Sequence, residues 1–154
     1  MDCIFEYKSV PSRGFSGGPG GWSISVYGSG DVIERKYRIR RKEPESESLL
    51  ANAPELSEAI LAIIRRHSAR LQAIPDSLNN GSRDGTMQFF TFGDRKISAL
   101  NIGRTDPAEA QRRNPGYYER FRDNIAHENA VLDIYDEIAA EIKQRGIGVL
   151  PAVN

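Results

Sequence analysis

Three positions close together carry the side chains best suited to proton transfer. They are His127 and Glu128, in the one polar interruption (Ala126-His127-Glu128-Asn129) of an otherwise amphipathic segment, and Asp123, four residues before His127. Histidine titrates near neutrality, and a carboxylate four residues earlier shares its helical face, so Asp123 and His127 form an acid/base candidate. Glu128 falls on the apolar stripe itself, where a carboxylate needs a partner and desolvation raises its pKa. The structural alternative is a bend in the helix, with Glu128 paired to an arginine from a sheet.

Other routes to catalysis lack their residues. The chain has no Gly-x-Ser-x-Gly elbow and no His-Glu-x-x-His pair, and Cys3 has no neighbours that would activate a thiol. One cysteine and two histidines supply a metal site poorly, so neither a metal nor another cofactor is expected. His67, between Ile63/Ile64 and Leu71, reads as a core-edge histidine making one hydrogen bond. Gly14, Gly17, Gly18, Gly20 and Gly21 could form a lid or an anion-holding nest of amides. That loop has no Gly-Lys-Ser/Thr ending and opens no helix, so the phosphate-loop and dinucleotide patterns fail and a flexible connection is expected. Asp76, Asn80, Gly81 and Asp84 match four positions of a calcium loop, but Leu78 and Met87 stand where two oxygen ligands belong, which leaves a tight double turn.

Charge offers a binding site instead. Asp123 to Ile142 holds six acids and no Lys or Arg, and Asp133, Glu137 and Glu141 repeat every four residues. Like charges so spaced cost about 0.2–0.5 kcal/mol per pair in an isolated helix. A basic partner would relieve that cost, so Asp133, Asp136, Glu137 and Glu141 are the expected binding face. Pairing with the protein's own arginines would relieve it equally. The run Arg35, Lys36, Arg38, Arg40, Arg41 and Lys42 surrounds Tyr37, which would suit RNA, but Glu43, Glu45 and Glu47 follow and no second aromatic is evident.

The elements that must position these residues follow from periodicity. Cys3–Tyr7 and Trp22–Tyr27 alternate as strands, the latter with Trp22, Ile24 and Val26 on one side. Gly28-Ser29-Gly30-Asp31 turns the chain into a partner strand, Val32–Ile39, with Ile33, Tyr37 and Ile39 expected inward. Residues 43–55 read as a connector. Leu56–Ala73 has a helical stripe ended by Pro75. Met87–Phe92 and Arg95–Ile102 form a hairpin across Gly93-Asp94. Asp106-Pro107 opens a short helix and Asn114-Pro115 a long one, 116–145, capped by Gly146. The apolar tail Ile147–Val153 is expected to dock or to add an edge strand. These elements predict an α+β fold: a mainly antiparallel sheet of about five strands against two main helices, a two-layer sandwich.

Composition narrows the partners. The 154 residues suit one domain, and 39% hydrophobic with 27% charged residues supports a packed core. Lys+Arg and Asp+Glu are 21 each, so bulk binding of nucleic acid is disfavoured. The neutrality is a sum of unequal parts: residues 1–42 carry +4, 43–58 carry −5, 59–100 carry +3 and 101–154 carry −2. No run is long and apolar enough for a membrane span, and no apolar secretory segment follows Met1, so a cytoplasmic location is expected.

Leu78-Asn79-Asn80-Gly81-Ser82-Arg83-Asp84-Gly85, then Phe89-Phe90-Thr91-Phe92-Gly93, then Ile97 to Leu100-Asn101-Ile102 resemble small bacterial α+β proteins of the toxin-immunity type. The resemblance implies a stoichiometric inhibitor of a partner protein and carries over no site residue. The leading expectation is therefore a non-enzymatic, immunity-type module that docks a basic partner on the acidic helix face. The rival is a small enzyme or ligand-binding domain, with the glycine loop as a lid over His127 and Glu128.

Overall fold

The computed structural model describes residues 2–11, 14–148 and 150. Seven strands form one sheet: β1 (Cys3–Pro11), β2 (Pro19–Tyr27), β3 (Asp31–Arg38), β4 (Ser46–Asn52), β5 (Ser77–Leu78), β6 (Thr86–Phe92) and β7 (Arg95–Leu100). Their order is β4-β3-β2-β1-β6-β7-β5. All pairs are antiparallel except β5 with β7. The helices are α1 (Pro54–Arg66), α2 (Ser68–Ala73), α3 (Pro107–Arg113) and α4 (Pro115–Gln144). The expected α+β class and largely antiparallel sheet are present; the sheet is wider and the helices more numerous than expected.

β1 joins the two halves of the sheet. It pairs with β2 on one side and, from Phe5↔Phe92 to Pro11↔Thr86, with β6 on the other. Its alternation sends Phe5 and Tyr7 toward the helices, where both meet the Tyr135 ring of α4. Ile24, Val26, Val32, Phe90 and Phe92 share that core with Leu56 and Ile60 of α1 and Leu132 and Ile138 of α4. Burying each such side chain is worth about 1.5–3 kcal/mol, so this face holds the layers together.

Three local expectations change. The connector over 43–55 contains β4, a strand whose residues are nearly all exposed; without an apolar alternation, only its pairing with β3 reveals it. β3 is turned over: Val32 is buried, while Ile33 and Tyr37 lie on the face away from the helices, and of the expected inward set only Ile39, just past the strand, is buried. Val32 stands opposite Val26, so period two puts Glu34 and Lys36 on the inner side, where Glu34 reaches the sheet margin and accepts the Trp22 indole N–H at 2.8 Å. The helix expected over Leu56–Ala73 is broken at His67, whose ring turns to Glu137 of α4.

The caps match the expected signals. Asp106 and Asn114 accept from Ala108 N and Tyr117 N at the starts of α3 and α4. Gly146, at φ +68°, ends α4: its N–H bonds Lys143 O and that of Ile147 bonds Ile142 O, a Schellman motif. Ile147 is buried and Leu150 packs on the core, so those parts of the tail dock. Val149 and residues 151–154 of the expected tail lie outside the described residues.

Candidate functional site

The acid/base candidates do not converge on a reacting group. Glu128 is 4% exposed, on the stripe where it was expected. Its partners are amides rather than an arginine: Asn124 Nδ2 at 2.7 Å, Asn80 Nδ2 at 3.2 Å and Gly103 N at 3.3 Å. Every one of these groups donates, which suits a carboxylate that only accepts. Burial nevertheless raises the Glu128 pKa, against the lowering effect of Gly103 and Asn80. Asp123 is exposed and His127 half-buried, and no hydrogen bond joins them among the described residues. The Glu128 cluster ties α4 to the 79–81 turn and to the chain after β7, with the Tyr117 hydroxyl donating to Asn80 O at 3.0 Å.

The four acids of the expected binding face are all engaged by the chain's own cations. Asp133 meets Arg70 at 3.0 Å and Arg104 at 2.6 Å, and Asp136 meets Arg104 at 3.0 Å. Glu137 pairs with Arg66 and His67, and Glu141 with Arg145 at 2.7 Å. Burial alone would raise the Asp133 pKa, but Arg104 and Arg70 outweigh it and hold the carboxyl below its usual range. The repeat of acids is therefore answered by cations from α1, α2, the segment before α3 and, for Glu141, the end of α4 itself. His67 keeps the core-edge position expected of it, with Glu137 as its partner.

The open surface is elsewhere. Alternation sends Glu47, Arg35, Ser23, Lys8, Phe89 and Ser98 in register across the sheet face away from the helices. The next row is Leu49, Ile33, Ser25, Glu6, Thr91 and Lys96. Leu49 and Phe89 are exposed large apolar side chains on this face. Shallow concavities of about 400 and 440 Å³ lie beside Glu6, Thr91 and Lys96, the first also lined by Phe89, and neither His127 nor Glu128 lines them. Polar cross-strand links hold the surface: Ser25 Oγ donates to Glu6 at 2.7 Å, and Arg35 donates to Ser25 Oγ and to the Tyr27 hydroxyl. Burial pushes the Cys3 thiol up to about 11, which opposes thiolate chemistry at the edge of this face.

No family model matches this chain. A search of curated proteins likewise finds no match. Among the described residues, no three His, Cys, Asp or Glu side chains gather as a metal-binding group, and no helix is long and apolar enough to cross a membrane.

One convergence was not legible in the sequence. The glycine-rich loop and the basic run, separate features along the chain, are laced together. Gly17 N donates to Ile39 O, Ile39 N to Gly18 O, and Arg38 Nη1 to Gly17 O. The approach needs glycine: a Cβ at Gly20 would stand 2.6 Å from the Arg38 carbonyl carbon and the Ile39 nitrogen. The loop is thus attached to β3 at one end of the sheet; none of these contacts involves His127 or Glu128.

Proposed function

We propose that the protein is a non-enzymatic module that binds a partner protein stoichiometrically, in the manner of an immunity-type inhibitor. Its working surface is the helix-free face of the sheet rather than α4. The observation that carries this is the contrast between the two surfaces. Asp133, Asp136, Glu137 and Glu141 of α4 are paired with cations of the chain itself, whereas the open face presents Leu49 and Phe89 among polar and charged side chains. Exposed apolar groups framed by polar ones are what a protein interface uses, and neighbouring β-strands hold them rigidly. Glu128, the buried acid, is spent on positioning loops.

The test is site-specific photocrosslinking in native extract. A photoreactive residue at position 89 should form a single adduct of defined mass, and the same residue at position 133 should not. Adducts from position 133 alone, or from neither position, would refute the proposal.

A further inference from the structure

At the end of the open face where the glycine loop meets β3 lies a concavity of about 350 Å³. Lys8, Tyr37, Arg38, Arg40, Arg41 and Lys42 line it, with Gly21 and Val10, and among the described residues no carboxylate lines it. The cations are unequally satisfied. Arg35 and Arg38 are paired with Glu47 and Glu45, the acids that lead into and begin β4. Arg40, Arg41 and Lys42 make no ion pair among the described residues, and the adjacent Glu43 makes none either. Lys8 projects its ammonium over the Tyr37 ring, 4.2 Å from the centroid, and so bridges from β1 to β3 across β2. Ser23, paired with Lys8 across the strands, is fully buried, and its Oγ has no hydrogen-bond partner among the described residues. Phe15, 73% exposed, is carried by the attached glycine loop.

We infer that this concavity receives an acidic, extended segment of the partner protein. The chain shows the chemistry on itself: an acid-bearing stretch already lies along β3, with Glu45 on Arg38 and Glu47 on Arg35. The cations beyond it, Arg40, Arg41, Lys42 and Lys8, repeat that pattern without an answering acid. A polypeptide fits better than single-stranded nucleic acid, because the Tyr37 face that would stack a base is taken by Lys8. The assignment rests on the binding-module reading and names the chemistry of its partner.

Fluorescence anisotropy of the full chain with a labelled Asp/Glu-rich peptide tests it. The peptide should bind with a dissociation constant on the order of 100 μM at low salt, and about tenfold more weakly at about 300 mM salt. Arg41 and Lys42 are exposed and their side chains make no hydrogen bond or ion pair among the described residues, so the R41E/K42E variant should keep the native thermal midpoint while losing affinity about tenfold. The R41K/K42R variant should bind as the parent does. Unchanged affinity in R41E/K42E, no binding at millimolar peptide, or tighter binding of an oligouridylate of equal length would overturn the inference. Crosslinking from position 89 that persists alongside such a result would leave the binding module standing and remove only the acidic segment.

Discussion

At the residue scale, Glu128 shows how a catalytic-looking side chain becomes structural. Its place on the apolar stripe of α4 was legible in the sequence, and with it the need for a partner. The partner was not, because Asn80 sits in a turn dipeptide that reads as local chemistry, yet its side chain bridges Leu100 O, Asn101 O and Glu128. Removing the carboxylate leaves three donors facing nothing, so E128A should destabilise the fold by about 2–4 kcal/mol in urea denaturation. The pH dependence has a definite sign. A raised folded-state pKa means that Glu128 favours folding fully below its ordinary value of 4.5, and that this contribution is lost as pH rises through the elevated one. The stability of the parent relative to E128Q should therefore fall as pH rises across that window and then level off. Asp133 runs the other way, since its pKa is lowered. D133N should cost about 0.5–1 kcal/mol at neutral pH, a modest value because the pair is partly exposed. That cost should vanish as pH drops below the ordinary 3.8 and through the lowered folded value. Paired urea titrations of parent and variants across this range read both signs.

At the element scale, strands and helices with a strong apolar period were legible and those without one were not. β1, β2, β6, β7 and α4 bury a clear face, and their positions follow from it. β4 buries almost nothing, and β5 is two residues long in parallel with β7, so only tertiary pairing defines them. In β3 the sequence pattern points Ile33 and Tyr37 inward, and the Val26↔Val32 register reverses it. The contact of the glycine loop with β3 yields a prediction at this scale. G20A pushes a methyl into the Arg38–Ile39 backbone and should lower stability by about 1–3 kcal/mol. It should also weaken acidic-peptide binding, because the basic turn shifts with the strand end; calorimetric unfolding and anisotropy on the same variant report the two effects.

At the scale of the whole molecule, zero net charge conceals an ordered distribution. Asp133, Asp136 and Glu137 of α4 meet cations from α1, α2 and the segment before α3, while part of the basic run after β3 has no ion pair among the described residues. A sequence shows both clusters but not which of them the fold will neutralise, because the answering residues lie far away along the chain. One side of the sheet is consequently sealed by helices and internal ion pairs, and the other is open, partly apolar and basic at one end. The most direct measurement of this account is the affinity of the partner recovered by crosslinking, compared between two double variants. L49E/F89E should weaken the complex at least about tenfold, as loss of apolar anchors in an interface does, while D133N/E137Q should leave it within about twofold. The reverse order, with the helix variant failing and the sheet variant binding as the parent does, would contradict the account.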